Sequence, residues 1–295
     1  MKKFSIITVC LNVENTIEDT ILSVLEQTCT DYEYIIKDGV SSDKTLQIAE
    51  SFISAFAEKG VSYRIISQPD GGIYDAINQA ANEAQGEWVL YMNAGDLFAD
   101  SFVLEMVKQS GKLEKADIVY GDRINSMDKR YIYQKAHPLE MLRERLPFCH
   151  QSVFAKKSLY DQFLYSLNYR LCSDYLFFYD RYQEGKIFAY LPIAISIYDR
   201  HGASSNKKAV WQEILKIHED MPVRDEEMIQ ILKEKVEACD KKPPVFRRIL
   251  KWIIPSPIRK EIWKRIQRNY GWKTAEEFQL EKERNNGRVN KKINQ

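Results

Sequence analysis

Strand-like apolar runs alternate with amphipathic helical segments through the first hundred residues, and this alternation limits the possible folds most. Four runs have the apolar, β-branched or aromatic content of buried strands: 4–11, 34–38, 61–67 and 88–92. Helical periodicity fills the segments between them, at 16–27, 44–56 and 73–84. Such alternation implies a parallel sheet with right-handed crossovers. The sequence therefore predicts an α/β fold with a Rossmann-like, mostly parallel sheet flanked by helices.

Three of these strands are followed closely by a carboxylate. Asp38, Asp70 and Asp96 come after the second, third and fourth runs. Because ligands of open α/β sheets bind beyond the carboxyl ends of the strands, we expect the three acids to form an acidic mouth at one edge. Clustered carboxylates repel a phosphate, whereas a divalent cation between a carboxylate and phosphate oxygens inverts the local field. The pattern predicts a metal-assisted nucleotide site, with Asp96 as metal ligand.

Each acid also has a plainer interpretation. Asp96 could cap a helix that starts near residue 101. Asp38 could close an Asx-turn with the glycine that follows it. Asp70 belongs to a Pro-Asp-Gly-Gly sequence, which is itself a turn signal. The sequence leaves both interpretations open for all three residues.

Composition narrows the class of protein. A chain of 295 residues with 44% hydrophobic content can bury a substantial core. Its formal net charge of +1 argues against a nucleic-acid partner. The five cysteines are scattered without metal-ligand spacing, which favours reduced thiols and a cytoplasmic location. The first apolar run is too short for a signal peptide, and no apolar stretch is long enough to span a bilayer.

The pattern becomes less regular beyond Asp96. Helices are predicted at 101–112, 139–145, 173–183, 211–218 and 225–238. Further strands are predicted at 116–122, 131–133 and 187–197, the last broken by Pro192. We expect an α/β domain over 1–205, with a boundary near residue 100 between its regular and its less regular half. A helical basic amphipathic extension over 206–275 and a flexible tail over 276–295 would follow.

Five motifs in order resemble family 2 glycosyltransferases of the GT-A fold: Ser5–Asn12, Ser23–Thr28, Lys37–Thr45, Ser67–Asn78 and Tyr91–Asp96. The resemblance covers about residues 4–200. It implies that 1–205 is a catalytic domain in which residues to about 100 bind the nucleotide sugar and residues 101–205 bind the acceptor. It implies transfer of a sugar from a nucleotide diphosphate sugar, with inversion and with Mn²⁺ or Mg²⁺. Two departures stand out: Val40 replaces the usual second glycine after the strand-two acid, and 93–96 keeps only the last acid of the usual Asp-x-Asp.

The resemblance also implies roles for individual residues. The nucleotide-sugar contacts would be Val9, Asn12, Asp38, Asp70, Asn93, Ala94 and Gly95. Asp96 would bind the divalent cation, with His201 as a second candidate ligand from the loop after the last strand. The family's general base is an acid near the start of a helix in the second half, and Asp174 matches that position. That base would take the proton of the acceptor hydroxyl.

These second-half residues have plainer interpretations too. Asp174 could be an acid that the helix dipole favours at a helix N-terminus. His150 matches a family position near the acceptor, but a lone histidine beside a Phe-Cys pair is often structural. His201 precedes a glycine, as in many ordinary loops. Tyr74, Asp75 and Asn78 share one face of a helix and could support the site or only pack that helix.

Residues 241–265 alternate cations with aromatic and aliphatic side chains. This composition is typical of a helix that lies in an anionic membrane interface. The alternative is a pair of amphipathic helices that pack on the catalytic domain or on a second copy of the chain. We therefore expect a cytoplasmic enzyme, peripheral to the inner face of the membrane, that extends a cell-surface polysaccharide or a lipid-linked glycan.

Two other functions remain open at this point. A sugar-nucleotide nucleotidyltransferase would need a glycine-rich basic loop after the first strand, where this chain has Asn12-Val-Glu-Asn15. A binding or scaffold protein could keep the fold after losing turnover, and the reduced metal motif fits that alternative.

Overall fold

The computed structural model describes residues 2–127, 130–199, 206–240, 273–274 and 276–278. Its strands are β1 (Phe4–Cys10), β2 (Tyr32–Asp38), β3 (Ser62–Ser67), β4 (Trp88–Tyr91), β5 (Leu97–Phe98), β6 (Ile118–Met127), β7 (Arg130–Gln134), β8 (Val153–Lys156), β9 (Phe188–Asp199) and β10 (Lys273–Thr274). Its helices are α1 (Ile17–Leu25), α2 (Thr45–Ser51), α3 (Ile53–Glu58), α4 (Ile73–Glu83), α5 (Val103–Gln109), α6 (Lys157–Gln162), α7 (Ser173–Gln183), α8 (Lys207–Asp220) and α9 (Glu226–Asp240). Two 3₁₀ helices span Leu139–Arg143 and His150–Ser152.

All described strands belong to one sheet with the order β10-β7-β6-β8-β4-β1-β2-β3, and β9 pairs with β5 and β6 beside this path. The first four strands pair in parallel. β8, β7 and β10 join antiparallel. The predicted α/β fold with flanking helices is confirmed.

Burial on both faces explains the first strand. Every residue of β1 is buried. Phe4 and Ile6 pack into the core on one face of the sheet, and Ile7 and Val9 pack into the core on the other. A strand covered on both faces reads as a continuous apolar run, which is why the sequence predicts it well.

The predicted helix 44–56 is two helices. The N–H of Phe52 donates to the carbonyl of Ala49 at 3.3 Å, an i to i−3 bond that tightens the backbone between α2 and α3. The sequence also misses β5, β8 and α6. These elements are too short for periodicity to distinguish them from loops.

A bulge shapes the second half of the sheet. β9 runs parallel to β6, and the register shifts between Gly121 and Arg123 so that Pro192 and Ile193 have no ladder partner. Proline is tolerated at a bulge because its missing N–H is not needed there. A side chain at Gly121 would meet the carbonyl oxygen of Ile193 at 2.7 Å, so the bulge requires glycine opposite it. The predicted break at Pro192 is therefore a local kink within one strand.

The C-terminal helices α8 and α9 share a hydrophobic core with α7. Tyr175 and Tyr179 of α7 pack with Ile217 of α8 and Leu232 of α9. The extension that the sequence predicts is therefore helical through residue 240 and lies against α7. None of the helices in the described ranges has both the length and the apolar character that crossing a bilayer requires.

The end of the described chain returns to the sheet. Lys273 and Thr274 pair with β7, and Phe278 stacks on Tyr131 at a centroid distance of 4.4 Å. Phe278 thus packs within the segment expected to be a flexible tail, while 279–295 lie outside the described residues. The basic amphipathic segment 241–265 also lies outside them, so its membrane contact stays a prediction.

Candidate active site

The turn after β4 is held by its own backbone and by α1. The N–H of Asp96 donates to the carbonyl of Asn93 at 3.0 Å, and Gly95 has φ +96°, which few residues other than glycine adopt. The hydroxyl of Thr20 accepts from the N–H of Gly95 at 2.9 Å and donates to the carbonyl of Asp96 at 3.0 Å. The chain is therefore fixed where the predicted metal ligand leaves the sheet.

Asp96 is buried beside a second acid. Asp96 is only 5% exposed, and its Oδ1 accepts from the N–H of Asp199 at 2.9 Å. Burial raises the pKa of Asp96 to about 7, and the negative charge of Asp199 raises it further. The N–H of Asp199, the Gln151 side chain and the charge of Arg123 act to lower this pKa. The alternative role as a helix cap is wrong, because Asp100, not Asp96, accepts from Phe102 ahead of α5.

These oxygen atoms suit a hard divalent cation. Asp96 and Asp199 bring two carboxylates together, and Oδ1 of Asn93, in the turn just before, is buried without a hydrogen-bond donor among the described residues. Mg²⁺ and Mn²⁺ prefer such oxygen ligands. No group of three acidic, histidine or cysteine side chains in the described ranges could hold a metal by itself. His201 lies outside the described residues, so its role as a ligand stays a prediction.

Asp38 organises the loop after β2. The residue is fully buried, and its carboxylate accepts from the backbone of Val40 and Ser41 and from the hydroxyls of Ser41 and Ser67. Burial acts to raise the pKa of Asp38, but the bonds from Ser41 and Ser67 outweigh it and lower the pKa below its ordinary value. The hydrogen bond from the N–H of Val40 to the Asp38 carboxylate forms the expected Asx-turn. Nucleotide binding by Asp38 stays a prediction.

Asp70 is paired with a buried lysine. Nζ of the fully buried Lys37 donates to Asp70 Oδ2 at 2.8 Å and to the carbonyls of Asp38 and Gln68. A side chain on Gly39 would meet the same Asp70 oxygen at 2.9 Å, so the pair needs a glycine there. The sequence predicts that three acids form an acidic mouth at the edge of the sheet. The structure differs, because Lys37 compensates the charge of Asp70.

The loops after β1 and β2 hold each other in strained conformations. Asn12 has φ +53° and its Oδ1 accepts from the N–H of Ser42 at 2.8 Å. Val40, at the position of the usual glycine, has φ +66°. A β-branched residue is rare in this region because its side chain crowds the backbone. Val9 lies buried in β1, 7% exposed, and its contact with a nucleotide stays a prediction.

Asp174 stands at the start of α7 with one oxygen free. Its Oδ1 accepts from the hydroxyl of Tyr74 at 2.9 Å and from the N–H of Tyr175 at 2.9 Å. Its Oδ2 faces Nδ1 of His150 at 3.9 Å and accepts no hydrogen bond from a described residue. Burial lowers the pKa of His150, against the opposing charge of Asp174, so the imidazole is neutral near pH 7. His150 therefore carries no positive charge that would pair with the Asp174 carboxylate.

A chain of polar contacts supports His150 from behind. Its Nε2 lies 2.9 Å from the hydroxyl of Tyr165. Asn78 of α4 fixes Tyr165 by accepting from its N–H and donating to its carbonyl, both at 2.8 Å. Of the three residues on one face of α4, Tyr74 and Asn78 thus support the site. Asp75 instead accepts from the N–H of Gly71 at 2.7 Å and shapes the loop.

Glu213 of α8 holds the segment before Asp174, and the sequence did not predict this. Its carboxylate accepts from three consecutive N–H groups, those of Arg170, Leu171 and Cys172, at 2.8, 2.6 and 2.6 Å. A negative charge here also favours the N-terminus of α7. No local sequence signal points to a residue 40 positions away. Asp199, by contrast, is an acid at a strand end, and the rule that selected Asp96 could have found it.

A cleft of about 650 Å³ is lined by Tyr74, the residue whose hydroxyl donates to Asp174. Its walls are the Gly71-Gly72 turn and Tyr74 on one side, the segment 167–171 on the second and α8 on the third. Leu167, on its rim, is 61% exposed. We call this space the α4–α8 cleft.

Comparison with known proteins identifies the family of the chain. The sequence profile of "Glycosyl transferase family 2" matches residues 5–183. A "PGL/p-HBAD biosynthesis glycosyltransferase" of Mycobacterium tuberculosis is 32% identical over 216 residues, which cover 72% of this chain and 82% of that protein.

Two solved structures share the fold. S. aureus TarS in complex with UDP-GlcNAc has a TM-score of 0.60 at 19% identity, over 79% of this chain and 71% of that one. The mannosyltransferase PcManGT from Pyrobaculum calidifontis, in complex with GDP-Man and Mn²⁺, has a TM-score of 0.60 at 14% identity, over 90% and 84%. By its profile match and its curated relative, the chain belongs to glycosyl transferase family 2.

Proposed function

We propose that the protein transfers a sugar from a nucleotide diphosphate sugar to a saccharide or lipid-linked acceptor, with inversion at the anomeric carbon. The observation that carries this proposal is the carboxylate of Asp174. One of its oxygens is fixed by Tyr74, which also lines the α4–α8 cleft, and the other accepts no hydrogen bond from a described residue. A fixed carboxylate with one oxygen available is what a general base for a hydroxyl group requires.

The donor would bind at the carboxyl ends of β1 to β4. Asp38 and Asp70 are held there by hydrogen bonds and by Lys37, so their positions are set before a ligand arrives. Preorganised polar groups lower the cost of ordering the site on binding. The complexes of the two fold neighbours with UDP-GlcNAc and GDP-Man support a nucleotide-sugar donor.

Asp96, with Asp199 and the amide oxygen of Asn93, would hold a divalent cation. When bound, such a cation neutralises the charge that develops on the leaving nucleotide diphosphate. The Mn²⁺ in the mannosyltransferase complex supports this assignment. Asp199 supplies a second carboxylate here, although the Asp-x-Asp motif has only its last acid.

The acceptor would enter through the α4–α8 cleft. Its hydroxyl would approach Asp174 Oδ2, which takes the proton as the oxygen attacks the anomeric carbon from the face opposite the leaving group. Glu213 and Tyr74 keep the carboxylate in place during this step. The exposed Leu167 at the cleft rim, and the relative's part in PGL/p-HBAD biosynthesis, favour an acceptor with an apolar portion.

A donor panel tests the proposal. Nucleotide release from several UDP- and GDP-sugars with Mn²⁺ is compared between wild type and Asp96→Ala, with NMR of the product's anomeric configuration. We expect release by wild type, loss in Asp96→Ala and an inverted product. Asp161→Ala, which removes an exposed acid paired with Lys157, serves as control. No release with any donor would favour the binding or scaffold alternative.

A further inference from the structure

A small polar pocket lies between β6, β7 and the segment after the first 3₁₀ helix. Its volume is about 90 Å³, enough for a few waters or for a group the size of a phosphate. Four basic side chains line it: Arg123, Lys135, His137 and Arg145. We call it the basic pocket. It is separate from the α4–α8 cleft, with which it shares no lining residue.

The lining of the basic pocket carries positive charge only, although Arg123 also interacts with the charge of Asp96, which lies outside the lining. No acidic residue is among the described residues that line it. Burial lowers the pKa of His137, and the charges of Arg145 and Arg123 lower it further. The three groups are therefore close enough to repel one another. Such a cluster costs free energy unless an anion joins it.

Two arginines that line the pocket each carry a buried hydrogen-bond donor without an acceptor among the described residues. Nε of Arg123 and Nε of Arg145 are both buried, and neither has a partner among the described residues. Buried donors in folded proteins are nearly always paired, so unpaired ones call for an explanation such as a missing ion. Two guanidinium groups in one pocket match the oxygens of a phosphate, since each can donate two parallel hydrogen bonds.

The fold holds the basic pocket in place. Nη2 of Arg123 donates to Gln134 on the paired strand β7 at 3.2 Å, and Arg123 directly follows the register shift that the bulge in β9 produces. The N–H of His137 donates to the carbonyl of Pro147 at 2.7 Å and joins the two loops that form the walls. Bulges often redirect side chains toward functional sites. The pocket is thus a built feature rather than a gap between loops.

The basic pocket is linked to the proposed metal site through Cys149 and Gln151. Cys149 lines it and donates to Gln151 at 2.9 Å, and the Gln151 side chain hydrogen-bonds Asp96. All its lining residues fall between 121 and 149. None comes from β1 to β4, where the nucleotide would bind.

We propose that the basic pocket binds a phosphate-sized oxyanion carried by the acceptor. The acceptor would then be an anionic glycan or glycolipid, with a phosphate, phosphodiester or carboxylate near the hydroxyl that accepts the sugar. This proposal rests on the proposed transferase function for the identity of the carrier, but oxyanion binding itself does not depend on turnover.

Thermal unfolding in inorganic phosphate tests the oxyanion site directly. At constant ionic strength, phosphate should raise the Tm of wild type, since a ligand that binds only the folded state stabilises it. Arg145→Gln should bind phosphate about tenfold or more weakly, because it loses charge-assisted hydrogen bonds, and so lose most of this gain. Lys135→Gln, at an exposed position that cannot disturb folding, should reduce it. Arg224→Gln, at an exposed arginine outside the pocket, should retain it.

Calorimetry with UDP and GDP in Mn²⁺ separates the two possible carriers. We expect the nucleotide Kd of Arg145→Gln to equal that of wild type within about twofold. A tenfold weaker nucleotide Kd would assign the pocket to the donor diphosphate and overturn the acceptor assignment. An unchanged phosphate-dependent rise in Tm in Arg145→Gln and Lys135→Gln would overturn the site altogether. Absence of sugar transfer with intact phosphate binding would contradict the proposed function alone.

Discussion

The two halves of the sheet differ in how they satisfy buried polar groups. We call residues to about 100, where we propose that the donor binds, the nucleotide half, and residues 101–205 the acceptor half. In the nucleotide half, Lys37 has three acceptors and Asp38 is surrounded by backbone and hydroxyl donors. In the acceptor half, buried atoms of Arg123, Arg145 and Ser173 have no partner among the described residues. The first half is complete as a frame before a ligand binds. The second half has groups that a ligand could satisfy.

The boundary between the halves follows the same logic. Two buried atoms without partners in the first hundred described residues, the hydroxyl of Tyr91 and Oδ1 of Asn93, belong to the end of β4 and the turn that follows. That turn carries Asp96, the predicted metal ligand. Buried polar groups usually lack partners where function requires it or where a ligand or water completes them. Among the described residues, the unpaired buried side-chain atoms thus all lie at the end of β4 or later in the chain.

The largest expected effect tests the completeness of the nucleotide half. Lys37→Met removes a buried cation and leaves Asp70 and two carbonyls without their donor. Breaking a buried ion pair on one side costs about 3–5 kcal/mol. Urea denaturation should show a loss of this size. Lys108→Met, which breaks an exposed pair with Asp31, should cost less than about 1 kcal/mol. Equal losses in the two variants would show that burial of Lys37 has no special role.

A smaller effect tests the link between α8 and Asp174. Glu213→Ala leaves three N–H groups before α7 without an acceptor, which costs about 1–3 kcal/mol. Because Asp174 then shifts, kcat for transfer should fall about tenfold or more while nucleotide affinity stays constant.

Matched variants complete this test. Glu213→Gln keeps one acceptor oxygen and should lie between wild type and Glu213→Ala. Glu219→Ala, at an acid on the same helix 3.7 Å from Lys233, should be neutral. A kcat unchanged in a destabilised Glu213→Ala would mean that α8 supports the fold but does not position Asp174.

The smallest effect concerns strain in the nucleotide half. Val40→Gly removes a β-branched side chain at φ +66°, a conformation that costs about 1–2 kcal/mol. Glycine loses more backbone entropy on folding, which offsets about 0.5–1 kcal/mol of this gain. We expect a net gain near 0.5–1 kcal/mol in thermal or urea unfolding. Val223→Gly, at an exposed valine that does not have a positive φ, should not stabilise the protein. A loss of stability in Val40→Gly would show that other contacts compensate the backbone conformation.

The sequence predicts the nucleotide half better than the acceptor half for physical reasons. β1 to β4 are buried parallel strands, and their apolar runs and terminal acids are visible in any one stretch of sequence. The pair of Lys37 and Asp70 is not visible, since it joins residues on two strands and depends on the space above Gly39.

The acceptor half depends more on distant contacts. Asp174 follows from the family resemblance, whereas its supports Tyr74 and Glu213 come from helices about 100 residues before it and 40 after it. The basic pocket combines β6, β7 and a loop around a bulge, and no periodicity in the sequence records that arrangement. Local patterns predict strands and their ends, but not which side chains meet across the fold.

The most direct test of the account compares donor binding with transfer in Asp174→Asn. The amide keeps the size of the side chain and the bond from Tyr74 but cannot take a proton. We predict a nucleotide Kd within about twofold of wild type and a transfer rate lower by about 100-fold or more. A folded Asp174→Asn protein that transfers sugar at the wild-type rate would contradict the claim that this carboxylate is the general base.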